Sequence, residues 1–186
     1  MRYDSEKHYR RSIRLRCYDY GQAGAYFVTM CTQYRDYLVD AVADDEMRLN
    51  DAGRMSEEWW FELNREFTTV ETDEFVVMPN HFYGIVTIAD ANVGADLCVG
   101  PVLEGAHAGA PLPTVVRWFK TMTTNGYVRG VKTQGWAPFR GKLWQRNYYE
   151  HIIRNDNSLN RIRQYILDNP SRWAFDRENP RQPNRN

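Results

Sequence analysis

His81 and Tyr83 stand two residues apart, and residues at that spacing on a strand project from one face while Phe82 between them points to the other. An imidazole beside a second donor makes two arms of a metal clamp, provided the second arm coordinates well. Tyr165 and Asn169 stand four apart on the edge of a stretch with helical apolar spacing, and Arg161 lies one turn earlier. A phenol there suits a nucleophile, an amide oxygen a metal ligand, and a guanidinium a phosphate clamp. Packing explains the same residues, because a tyrosine at the margin of an apolar stripe and an asparagine before Pro170 also belong to a packed, proline-terminated helix. His8 and His107 read as solvated. His151 reads as a buried strand-end histidine holding the last helix, or else as a group near a bound phosphate.

The elements that must position these residues follow from periodicity. Residues 25–32, rich in β-branched and aromatic side chains, predict a buried first strand, and 37–49 a short hairpin turning at Asp44-Asp45. From Asp51, apolar Met55, Trp59, Leu63 and Phe67 recur every four residues against glutamates, which predicts an amphipathic helix. Residues 74–78 and 81–88 read as strands joined at Pro79-Asn80. Residues 90–113, with glycines, prolines and no basic residue, read as a flexible internal connection. Thr114 is expected to cap a helix with Val115, Phe119 and Met122 inward and Arg117 and Lys120 toward water. Residues 144–154 predict a fourth strand, followed by a helix over 158–168 that packs Leu159, Ile162 and Ile166 and ends at Pro170. The sum is an α+β ferredoxin-like sandwich: a four-stranded antiparallel sheet with helices on one face, plus a C-terminal helix carrying Tyr165.

With 186 residues the chain fits a single domain, read here as 1–179 followed by a polar tail over 180–186. It contains no apolar run long enough to span a membrane and no secretion-like N-terminus, and its three scattered cysteines suit neither a disulfide framework nor a zinc site. A cytoplasmic protein is expected. Net charge is zero but segregated: seven basic against three acidic residues in 1–35, three against thirteen in 36–75, none against three in 76–116, and fourteen against five in 117–186. Arginines interleaved with aromatic rings in the last segment suit phosphates and unstacked bases. The expected DNA contacts are Arg11, Arg14 and Arg16 in the N-terminal arm and Arg140, Lys142, Arg146, Arg154 and Arg161 near the C-terminus. A solvated face balancing the acidic one is the plainer alternative.

Five stretches carry a resemblance covering residues 10–179. They are Arg11-Ser12-Ile13-Arg14-Leu15 with Tyr18-Asp19-Tyr20; Gly24-Ala25-Tyr26-Phe27-Val28-Thr29; Val76-Val77-Met78-Pro79-Asn80-His81; residues 144–155 from Trp144 to Asn155; and Tyr165-Ile166-Leu167-Asp168-Asn169-Pro170. In this order the chain resembles the REP-associated tyrosine transposases, a branch of the HUH single-strand nucleases. The resemblance implies cleavage and joining of single-stranded or hairpin DNA through a 5′-phosphotyrosine intermediate. Carried over by position, Tyr165 is the nucleophile and His81 and Asn169 are ligands of Mg²⁺ or Mn²⁺. The family's second histidine is Tyr83 here, a weak or lost ligand, because a neutral phenol coordinates poorly. The chain therefore reads as an HUH nuclease attenuated at one ligand, with a catalytically inactive palindromic-DNA-binding protein as the alternative. Monomer and homodimer both remain open. Tyr148 and Tyr149 read as packing or base contacts.

Overall fold

The computed structural model of the chain describes residue 20, residues 22–43, 46–89 and 109–175, and residue 179, with only the backbone of 40–43 and 46–48. The expected arm contacts Arg11, Arg14 and Arg16, together with His8, His107 and most of the 90–113 connection, lie outside the described residues.

Along the described chain run β1 (Gly24–Cys31), β2 (Asp40–Ala43), β3 (Glu46–Leu49), α1 (Asp51–Glu66), β4 (Val70–Met78), β5 (His81–Ile88), α2 (Leu112–Thr133), β6 (Tyr149–Ile153) and α3 (Asp156–Asp168). Four strands form one antiparallel sheet in the order β4-β5-β1-β6, and β2-β3 is a separate two-stranded arm. This is the α+β sandwich that the periodicity predicts.

Alternation along the strands gives the sheet two unlike faces. One carries Tyr26, Val28 and Met30 of β1 and Phe82 and Val86 of β5 into the main core, where α1 and α2 cover them. Trp60 of α1 sits in its centre, 4.8 Å from the Phe82 ring and 5.5 Å from that of Phe119 of α2. Gly84 exists for this packing: a Cβ there would run into the Trp60 ring. Burying such a side chain contributes roughly 1.5–3 kcal/mol, so the face toward α1 and α2 supplies most of the stability. The opposite face carries a smaller cluster of Tyr83, Ile85, Ile153 and Ile166, closed by α3 with Leu159 and Ile162 packed against it.

Several local expectations are corrected. α1 buries Trp60 and Leu63, with Met55 and Trp59 only partly covered, because these two sit at the seam with α2, beside Gly126 and Trp118; Asn50 caps the helix, its side chain accepting from the Gly53 amide at 2.8 Å. α2 starts at Leu112, before Thr114, with Pro111 as its cap residue; prolines are tolerated at a helix start, where no intrahelical N–H partner is needed. Thr123, which donates to the Phe119 carbonyl and accepts from Trp144 Nε1 at 2.8 Å, occupies the inward position expected of Met122. The final strand is only Tyr149–Ile153, since residues 143–148 run as a loop whose Trp144 bridges Thr32.

Candidate functional site

The α3 face of the sheet holds the four residues singled out by spacing. Strand register puts His81 opposite Cys31 and Tyr83 opposite Thr29 on β1. Their rings meet at 4.4 Å. Tyr165, on the first turn from the end of α3, donates its hydroxyl to that of Tyr83 at 3.2 Å and leans edge-on against Phe27 at 6.1 Å. Tyr83 is buried, whereas Tyr165 is 40% exposed. Asn169 closes α3 as its C-terminal cap and is buried. One turn beyond it, Trp173 packs against His81 at 5.8 Å. Asn169 thus lies between two residues that touch the Tyr83–His81 pair.

The position of α3 is set by a charged contact. β4 bulges between Thr72 and Phe75, and Asp73 in the bulge accepts from Arg163 Nε at 3.1 Å and also from its terminal nitrogen. Burial alone would raise the Asp73 pKa, but the Arg163 hydrogen bonds outweigh it and hold the carboxyl below its usual range. Arg163 is two residues from Tyr165, so this pair fixes the helix that carries the hydroxyl.

His81 is held in one tautomer. Asn80 Nδ2 donates to the Arg35 carbonyl, which directs Asn80 Oδ1 toward the ring, 2.9 Å from His81 Nδ1. Nδ1 therefore carries the hydrogen and Nε2 the lone pair, the form in which imidazole binds a cation. Burial, assisted by the Arg35 charge, pushes its pKa down to about 3, so the ring is neutral at physiological pH. Tyr34 and Arg35 both adopt left-handed backbone with φ of 60° and 59°, a strained turn beside the ring. The loop is braced by Thr32 Oγ1, which donates to the Asn80 carbonyl at 3.1 Å.

A divalent ion fits this donor set in part. His81 Nε2 offers a lone pair, and Asn169 Oδ1 is buried with no hydrogen-bond partner among the described residues, which is costly unless something fills that role. Tyr83 does not fit as a third arm, because its hydroxyl already accepts from Tyr165. No group of three or more His, Cys, Asp or Glu residues suited to a metal exists among the described residues.

The expected cationic contacts separate into different places. Arg140, Lys142, Arg146, Arg154 and Arg161 are all exposed. Lys142 and Arg146 border a groove against α2, whereas Arg154 and Arg161 line a different concavity of about 520 Å³ with Tyr20 and His151. His151 is exposed, which corrects its reading as a buried strand-end residue. It pairs with Phe27 in register, and its neighbour Tyr149 pairs with Thr29. Tyr149 is 69% exposed and lies in one cross-strand row with Thr29 and Tyr83, about 10 Å from Tyr83 at the usual strand spacing. Trp144, one of the interleaved rings suited to stacking, is buried, and so is Tyr148, which fits the packing alternative of its two readings. Lys120, expected to face water, is largely covered and donates to the carbonyls of Gln145 and Asn147 at 3.0 and 3.1 Å. Arg35 and Trp173 were missed by spacing, because only tertiary structure brings them to the Pro79-Asn80-His81 turn; Asn80 is adjacent to His81 in the chain, but spacing gave no sign of its bond to the ring.

No helix among the described residues is long and apolar enough to cross a membrane. No family model matches the chain. A solved structure of a REP-associated tyrosine transposase bound to a REP hairpin superposes with a TM-score of 0.56 at 19% identity, covering 89% of this chain and 76% of that one. The two share a fold. A candidate transposase from Deinococcus radiodurans R1 matches more loosely, at a TM-score of 0.40 and 18% identity over 84% of this chain and 97% of that one. An uncharacterised protein of Haemophilus influenzae strain Rd is 35% identical over 184 residues, 94% of this chain and 96% of that protein. The chain belongs to one family with it.

Proposed function

We propose, taking this family and fold as premise, that the chain binds single-stranded or hairpin DNA and cleaves and rejoins it through Tyr165, as a transposase-like enzyme of the cytoplasm. One observation carries the reading: a half-exposed tyrosine hydroxyl lies 3.2 Å from Tyr83, whose ring lies 4.4 Å from that of a neutral, tautomer-locked His81. A partly exposed tyrosine on the same face as a buried imidazole and a buried amide oxygen without a partner among the described residues is an arrangement that core packing does not require. The shared fold with a hairpin-bound transposase supports DNA as the partner.

In the proposed reaction the Tyr165 oxygen forms a bond to phosphorus and the bond from phosphorus to the 3′ oxygen breaks. The phenolic proton passes to the departing oxygen or to solvent. A 5′-phosphotyrosine and a free 3′ hydroxyl result, and the reverse attack rejoins the strand. Tyr83 accepts the Tyr165 hydrogen before reaction and so aims the oxygen; Arg163, through Asp73, keeps α3 in place. His81 and Asn169 would hold Mg²⁺ or Mn²⁺, which supplies charge compensation for the phosphate. Exposed Tyr149 is positioned to stack on a base adjacent to the reacting phosphate, and Arg140, Arg154 and Arg161, with Arg11, Arg14 and Arg16, supply backbone contacts.

Incubating the protein with labelled hairpin DNA and Mn²⁺ should give an adduct that survives a denaturing gel and disappears in Tyr165→Phe. An adduct that persists in Tyr165→Phe would refute the nucleophile. A second reading, a DNA-binding protein without catalysis, is favoured by Tyr83, whose hydroxyl is engaged with Tyr165 where a ligand would stand. Binding with no adduct at any metal concentration, in the wild type and in Tyr83→His alike, would select it.

A further inference from the structure

Helix α2 has two flanks of opposite electrostatic character. On one side a groove of about 580 Å³ sets Asp51 and Glu58 against Arg54 and Arg129. On the other, a groove of about 710 Å³ between α2 and the loop leading to β6 carries Arg117, Lys120, Lys142 and Arg146 and, among the described residues, no acidic one. Arg117, Lys142 and Arg146 are exposed and form no ion pair among the described residues. In a chain of zero net charge with equal numbers of acids and bases, four uncompensated cations around one concavity are a local excess that solvation alone does not call for.

We infer that this groove is a track for the sugar-phosphate backbone of DNA, gripping it without reading the bases. The inference rests on the DNA-processing reading above and deepens it by naming the surface and the part of the nucleic acid it takes. From Arg117 to Thr124 the helix wall rises about 10 Å at 1.5 Å per residue, which matches roughly three phosphates at 3.4 Å of axial spacing per strand. The groove floor offers no base platform. Trp144 is buried with its Nε1 spent on Thr123, and Tyr148 is buried beneath the Lys120 ammonium, 5.5 Å from its ring centre. Thr121 and Thr124 donate their hydroxyls to α2 carbonyls. Apart from the Asn125 amide, the free side-chain donors lining the groove are therefore cationic, and cations on phosphate oxygens carry affinity without sequence information.

Lys120 ties the groove together. Two of its three protons go to the Gln145 and Asn147 carbonyls, which anchors the loop bearing Lys142 and Arg146 against α2. Burial lowers its pKa to about 8, a cost that an occupying phosphate would relieve. The groove lies on the α1 and α2 side of the sheet, and the Tyr165 site on the other. DNA held here passes around the open β6 edge, past Tyr149, to reach the hydroxyl.

The test measures binding of the full chain to a fluorescent DNA hairpin over a range of NaCl concentrations, separately from adduct formation. In R117Q/R146Q the slope of log affinity against log salt should fall by about 1.4–1.8, at 0.7–0.9 per lost phosphate contact. Affinity at 0.1 M salt should fall about tenfold or more, equally for the original and a scrambled stem. R129Q/K132Q, which removes the same charge from α2 outside the groove, should keep the wild-type slope, and K142Q alone should lose about half of the double variant's effect. Wild-type slope in R117Q/R146Q, an equal loss in R129Q/K132Q, or a loss confined to one stem sequence would each overturn the backbone track while leaving the DNA-processing reading intact. Absence of hairpin binding by the wild-type protein refutes that reading and the groove's ligand with it.

Discussion

Lys120 allows a stability prediction with a worked sign. Its ammonium is largely buried, and burial lowers its pKa from 10.5 to about 8. Below pH 8 the folded and unfolded chains both carry the proton, and the folded state bears the full cost of a covered charge. Between pH 8 and 10.5 the unfolded chain keeps a proton that the folded chain has released, so stability rises with pH. The whole interval is worth roughly 3 kcal/mol at about 1.4 kcal/mol per unit, of which about 2 kcal/mol falls between pH 7 and 9.5. The perturbation is Lys120→Met, which keeps a flexible apolar stem and removes the titration. Urea unfolding of both proteins at pH 7 and pH 9.5, at matched ionic strength, isolates the residue, because all other groups titrate alike. The wild type should gain about 2 kcal/mol on the variant across this range. A stability difference that stays constant, or moves the other way, would show that the ammonium is solvated and the groove wall looser than its two carbonyl contacts imply.

Arg163→Gln should lower stability by about 1 kcal/mol, discounted for a half-exposed pair, and should slow adduct formation more than it weakens DNA binding, since it frees the helix that carries Tyr165. Its stability deficit should shrink on acidification below the usual carboxylate range, where Asp73 is protonated and the pair is lost in the wild type as well; a deficit independent of pH would refute this. Gly84→Ala should cost about 1–3 kcal/mol through collision with Trp60, read as a lower urea midpoint with unchanged slope; a neutral substitution would mean that the core repacks freely. His81, with its pKa near 3, should show no change in ring chemical shifts between pH 8 and 5 in the presence of EDTA. A midpoint inside that window would mean that the imidazole is not buried.

Sequence and tertiary structure contributed differently to the site. The i, i+2 pairing of His81 with Tyr83 and the i, i+4 pairing of Tyr165 with Asn169 are local geometry, so the chain order alone put each pair on one face. The ferredoxin-like order was legible for the same reason: strand and helix periods differ, and Gly, Pro and Asn mark the boundaries. Lys120 was misread because its helical position faces outward from the α2 core stripe, and only the 143–148 loop folding over it removes it from water. Trp144 was misread for a like reason, since an aromatic ring in a loop gives no local sign of whether a helix will cover it.

By itself, then, the sequence determined which side chains could share an element face. The tertiary structure alone decided that Tyr165 meets Tyr83, 82 positions earlier in the chain, that Arg35 and Trp173 come up to the imidazole, and that the C-terminal cations split between a groove on α2 and a separate concavity. The physical reason is range. Periodicity is written within a few residues by backbone geometry, whereas these contacts depend on strand register and on a charged pair at a β-bulge, each set only when distant segments compete for the same buried surface.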